Sequence, residues 1–107
     1  MRRVVVTGMG LLSSIGNNLE TSWKNLINSK SGIKQINHFD VSDLPAKIAG
    51  YISNNPDDDN YFNKSFLIEP RDIKRNDRFI QYGLVAASMA IQDAGLNNLT
   101  DEEKLKV

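Results

Sequence analysis

Apolar and polar residues alternate along this chain in blocks that predict a few elements. Arg3-Val4-Val5-Val6-Thr7 is a short β-branched run closed by glycine, the pattern of a buried strand. Leu19, Trp23, Leu26 and Ile27 recur at i, i+4, i+7 and i+8, which is one face of a helix. Asn17-Asn18-Leu19-Glu20 supplies a capping-box-like start, and Gly32, after Ser29-Lys30-Ser31, offers a left-handed C-cap. Trp23 is expected in the core. Residues 46–52 predict a second short strand behind Pro45, with Ile48 and Ile52 on one side. Residues 61–68 have no clear period and read as loop or short helix.

Residues 77–94 give the strongest helix pattern. After Phe79 its polar positions are Gln81, Ser88, Gln92 and Asp93, so the helix is expected to be buried on most sides. Gly83, Ala86, Ala87 and Ala90 offer small surfaces for close packing. Gly95 is expected to end the helix, with Leu96 placed for the hydrophobic contact of a Schellman cap. The tail from Asn97 is polar up to Leu105-Lys106-Val107. Two strands and one such helix do not close a core, because an apolar helix needs layers on both faces. The chain therefore reads as part of a domain.

Between the first strand and first helix lies Gly8-Met9-Gly10-Leu11-Leu12-Ser13-Ser14-Ile15-Gly16. Glycines here permit positive φ or close approach to another backbone. A dinucleotide-binding turn needs G-x-G-x-x-G opening directly into a helix. Ser13 stands where the third glycine belongs, and no acidic residue ends a second strand at the expected distance. A small nucleotide-binding domain is thus an alternative that the spacing does not favour.

Composition narrows the chemistry. The 107 residues carry 13 Lys plus Arg and 13 Asp plus Glu, a formal net charge of zero, which argues against nucleic acid or an anionic membrane as a bulk partner. With no cysteine and one histidine, disulfide and thiolate chemistry are excluded and no metal site is expected. No apolar run approaches the ~20 residues of a membrane span, and the amino terminus does not read as a signal peptide. Cytoplasm is the expected location, and no cofactor is expected.

Three stretches invite functional readings. His38 beside Phe39 has no nucleophile to activate and reads as a loop histidine. Asp57-Asp58-Asp59 suggests a calcium loop, but the sixth and twelfth positions are Phe62 and Ile68 from Asp57, or Asn63 and Glu69 from Asp58. The required glycine is missing from both, so residues 53–60 read as a solvated loop. Glu69-Pro70 opens a short helix on which Arg71, Lys74, Arg75 and Arg78 form a basic stripe at i, i+3, i+4 and i+7. Cations crowded into the first turns oppose the helix dipole, so the stripe is a candidate anion-binding face. The plain alternative is a solvated face with Asp72 and Asp77 as partners.

The string Val4-Val5-Val6-Thr7-Gly8-Met9-Gly10, with Ser13 and Gly16, resembles the opening of the β-ketoacyl-acyl-carrier-protein synthases. It is most similar to the type II condensing enzymes of bacterial fatty-acid synthesis. Trp23, Leu26 and Ser31-Gly32-Ile33 extend the resemblance, as do the Ile36…Phe39-Asp40 segment, Phe79-Ile80-Gln81-Tyr82-Gly83 and Gln92-Asp93-Ala94-Gly95-Leu96. The last two are its most specific matches.

The resemblance implies an α/β, thiolase-like fold with α-β-α-β-α layers and two related halves. Residues 1–107 would be an incomplete N-terminal part of it, stopping where the family begins a strand at about Val107. It implies an acyltransferase reaction, the decarboxylative Claisen condensation of malonyl-carrier protein with an acyl chain held on a cysteine. That cysteine and the two histidines the family uses are not among these residues, so no catalytic residue is assigned and the chain alone is expected to be inactive. A non-catalytic carrier-docking or split-protein module is the alternative. The family carries a basic cluster just before its Phe-Ile-Gln-Tyr-Gly helix that helps dock the acidic acyl carrier protein, and Arg71, Lys74 and Arg75 match it. Pro70 stands at a position often basic there, and Ile73 and Asn76 at positions more often polar or Met. Full-length members are dimeric, so a homodimer is expected of a complete protein.

Overall fold

The computed structural model describes residues 1–64 and 70–106. The chain divides into two compact units, one of Leu12–Asn63 and one of Met1–Leu11 with Lys64–Val107.

In the unit Leu12–Asn63, helix α1 spans Leu19–Ile27 and strands β1 (Ile33–Gln35) and β2 (Ile48–Gly50) pair antiparallel. Ile33 faces Gly50, Lys34 faces Ala49 and Gln35 faces Ile48. Asn18 caps α1, its side chain accepting from the Thr21 amide at 2.8 Å. The expected cap with Glu20 is absent, because the helix begins one residue later than that pairing requires. Its end also differs from expectation: Asn28 is the C-cap and Ser29 takes the left-handed backbone, φ 55°. Gly32 instead serves close approach, since a Cβ there would lie 2.6 Å from Ile15 Cγ2.

The apolar stripe of α1 is not core. Trp23 is 61% exposed, and Leu26 and Ile27 are exposed with it. The buried face is polar, made of Ser22 and Asn25. Gly16 packs on Ser22 so closely that a Cβ would sit 2.6 Å from the Ser22 amide nitrogen. Asn25 donates to the Ile15 carbonyl at 2.6 Å and to Asp59 Oδ2 at 3.1 Å. Hydrogen bonds of defined geometry, not apolar burial, therefore fix this helix on its loop. The β-sheet follows the same inversion: Ile33 and Ile48 point outward while Lys34 and Ala49 are half-buried. Ile52 is half-buried but lies past the end of β2.

The loop 53–60 is not simply solvated. Asn60, 1% exposed, donates to the Ser14 and Tyr51 carbonyls at 2.9 and 2.7 Å, and Ser53 is also buried. Phe62, 1% exposed, is the buried apolar residue of this unit.

In the other unit, helix α2 spans Pro70–Arg75 and α3 spans Arg78–Asp93. A 3-10 turn at Leu96–Asn98 and helix α4 (Asp101–Lys104) follow. Gly95 ends α3 in the left-handed region, φ 69°, as expected. Thr100 and Glu103 form a reciprocal capping box at α4, in a tail read from the sequence only as polar. The helix expected from Glu69-Pro70 does begin at Pro70; the expected loop or short helix over residues 61–68 lies partly outside the described residues, as does the strand start at Val107.

Arg3–Thr7 forms no ladder, and Val4, Val5 and Val6 are exposed. A strand needs a neighbour to take its backbone groups, and among the described residues of this unit there is no other strand. The following glycines do what close approach requires. A Cβ on Gly8 would lie 2.5 Å from the Ala90 carbonyl oxygen, and one on Gly10 would lie 2.8 Å from the Ala90 nitrogen. Ala86, Ala90 and Ala94 of the α3 segment thus receive the chain directly, whereas Gly83 has nothing nearby. Met9 N–H donates to Asp93 Oδ2 at 2.9 Å, fastening the contact. Only Gln81 and Val85 of α3 are buried, and Phe79, Ile80, Leu84 and Ile91 are exposed. The expected burial on most sides fails because one extended segment covers one face of a helix, not two.

Candidate carrier-docking face

The short helix α2 carries the three basic residues singled out by sequence. Pro70 opens it, with a fixed φ suited to the first helical position and no amide hydrogen to leave unpaired. Arg71, Lys74 and Arg75 are exposed on it, at i, i+3 and i+4. Lys74 and Arg75 form no ion pair among the described residues.

Arg78 is separated from this stripe. The helix stops at Arg75, Asn76 and Asp77 intervene, and Arg78 opens α3 behind the N-cap Asp77. This corrects the electrostatic argument made from sequence. In a six-residue helix Lys74 and Arg75 occupy the last turn and Asp72 the first. There the cations complement the helix dipole instead of opposing it. Lys74 and Arg75 thus lie where the helix end favours positive charge, while Arg71 stands in the first turn.

Gln81, legible in sequence only as a polar interruption between Ile80 and Tyr82, proves to be the link beneath this face. Its Nε2 donates to the Ile73 carbonyl at 3.0 Å and to the Asn76 carbonyl at 2.8 Å.

His38 lies in a loop, edge-on to Phe39 with ring centres 4.8 Å apart and 4.9 Å from Tyr51. Asp58 and Asp59 pair with Lys34 (3.4 Å) and Lys30, beside a pocket of about 110 Å³ that Ser14 and Asn60 also line. The hydrogen bonds from Lys30 and Asn25 hold the Asp59 carboxyl below the ordinary value, as the Ser53 hydroxyl does for Asp58. Two of the three carboxylates in the run are thus employed against lysines. For the nucleotide reading, the Met9 amide that could cradle a phosphate is already occupied by the Asp93 carboxylate. No helix among the described residues is long and apolar enough to cross a membrane.

Comparison with known proteins supplies the frame for these features. The family description "Beta-ketoacyl synthase, N-terminal domain" matches residues 1–107. The 3-oxoacyl-[acyl-carrier-protein] synthase 2 of Vibrio harveyi is 42% identical over 106 residues, 99% of this chain and 24% of that protein. The protein of the same name from Rhizobium meliloti (strain 1021) is 40% identical over 105 residues, 98% of this chain and 25% of its own length. That from Vibrio cholerae serotype O1 is 44% identical over 95 residues, 89% of this chain and 21% of its own length. The chain spans about a quarter of the length of these curated relatives. With a family match over every residue, the chain belongs to the β-ketoacyl synthase family, in its N-terminal domain.

Proposed function

We propose that residues 1–107 serve fatty-acid elongation as the N-terminal part of a condensing enzyme that joins malonyl-carrier protein to an acyl chain. The carrying observation is the family match along the whole chain, supported by relatives named 3-oxoacyl-[acyl-carrier-protein] synthase 2. Family membership implies a thiolase-like fold, and helices with a small two-stranded sheet are consistent with part of such a domain. In the complete fold these elements belong to one half of an α-β-α-β-α stack, in a protein that works as a homodimer.

In the reaction, a cysteine thiolate holds the acyl chain as a thioester. Loss of CO2 from the malonyl unit leaves a carbon nucleophile that attacks the acyl carbonyl, and the cysteine thiolate departs. Two histidines polarise the malonyl thioester carbonyl during decarboxylation. This chain, with no cysteine and only the loop residue His38, supplies none of these groups. Its own contribution is binding: Arg71, Lys74 and Arg75 receive the acidic surface of acyl carrier protein. Long-range attraction between such surfaces speeds encounter and fixes register.

The test mixes the 107-residue chain with malonyl- and acyl-carrier proteins and follows CO2 release and β-ketoacyl product. Carrier binding without product is expected. Product formed by this chain alone overturns the division of labour, and failure to bind carrier protein overturns the docking role. The alternative is a non-catalytic docking module. It is distinguished by whether a cysteine-bearing polypeptide, continuous or separate, restores condensation.

A further inference from the structure

Helix α2 cannot hold its own position. Six residues are far too few for a helix stable in water, and none of its residues is buried. Its orientation must be imposed from outside. Gln81 of α3, only 7% exposed, reaches back to it. Both hydrogens of its Nε2 are used, one on Ile73 in the last turn of α2 and one on Asn76 just past its end. These are carbonyls of the kind a helix terminus leaves without an intrahelical partner. The arrangement is reciprocal: the carbonyls need donors, and a buried amide group needs acceptors.

We propose that Gln81 is a positioning residue for carrier docking, its two hydrogen bonds locking α2 onto α3 so that Lys74 and Arg75 are presented in one orientation. The inference rests on the reading of α2 as the docking face. Without the lock, α2 spends part of its time in other orientations, and apparent affinity falls by the fraction that remains competent.

The test compares two variants with the parent, each made in a full-length condensing enzyme carrying residues 1–107, in titrations with acyl carrier protein. Gln81→Met keeps length and packing but has no donor. Gln81→Glu has no donor when ionised and regains one O–H donor when protonated. Near pH 8 both are expected to bind about tenfold more weakly than the parent, the effect of losing two ordinary hydrogen bonds from the competent state. Toward about pH 5.5 the Gln81→Glu deficit is expected to shrink, because two facing carbonyls favour the protonated acid. The Gln81→Met deficit is expected to persist.

Arg71, Asp72, Lys74, Arg75, Asp77 and Arg78 are common to every variant, so ratios to the parent at each pH cancel their contribution. Gln81→Met binding within twofold of the parent overturns the proposal, as does a Gln81→Glu deficit that is the same at both pH values. If Gln81→Met does not fold, as judged by circular dichroism, the Gln81→Glu ratio decides alone. A Lys74→Glu/Arg75→Glu control separates the two readings. If it binds like the parent, the docking face fails. Amide exchange across residues 70–76 then still reads the lock, with about tenfold faster exchange expected in Gln81→Met and unchanged exchange counting against it.

Discussion

Gly10 and Gly83 are the same residue type doing opposite things, and the difference is measurable. Gly10 admits the chain onto α3, where an added Cβ would press into the backbone at Ala86 and Ala90. Gly10→Ala is expected to destabilise the chain by about 1–3 kcal/mol, the usual cost of overpacking a closed contact. Gly83 lies mid-helix with open space around its Cα. There Gly83→Ala is expected to stabilise by roughly 0.5–1 kcal/mol, through helix propensity alone. Urea unfolding of the two variants checks both signs. The close approach of the first glycines and the small residues at 86 and 90 was readable from sequence, because size is a property of the residue itself. The roles of Asn25, Asn60 and Gln81 were not, because a buried amide is defined by distant carbonyls that no local pattern announces.

At the scale of elements, periodicity identified α1 and α3 and located the left-handed glycine ending α3. It did not identify which faces are buried. A hydrophobic stripe states which face gains from cover, not whether cover is present, and Trp23 and Phe79 remain exposed for that reason. Strand β1 was missed because three residues, Ile33-Lys34-Gln35, are too short to display a period. What holds α1 to its neighbouring loop is polar, and this has a pH consequence. Asp58 and Asp59 titrate below the ordinary value of 3.8 in the folded chain, so the folded state favours their ionised forms. Their contribution is complete above pH 3.8 and is lost as pH falls through the lowered folded values. Thermal unfolding of the chain should therefore shift to lower temperature on acidification through this window. Asp59→Asn should lower stability at neutral pH and flatten that dependence, and added salt should diminish both effects because the pairs are exposed. An unchanged acid profile in Asp59→Asn counts against the pairing.

At the scale of the molecule, two compact units carry unusual amounts of uncovered apolar surface, on Val4–Val6, α1 and α3. Family membership gives that surface a context, since the relatives are about four times longer. What these residues present themselves is the charged face of α2, the proposed docking face for acyl carrier protein. The most direct measurement is the affinity of a full-length protein carrying residues 1–107 for acyl carrier protein at low ionic strength, beside its Lys74→Glu/Arg75→Glu variant. Binding weaker by about tenfold or more is expected in the variant, with a shallower salt dependence and an unchanged unfolding temperature. Equal affinity at low salt would contradict it and leave Arg71, Lys74 and Arg75 as an ordinary solvated face.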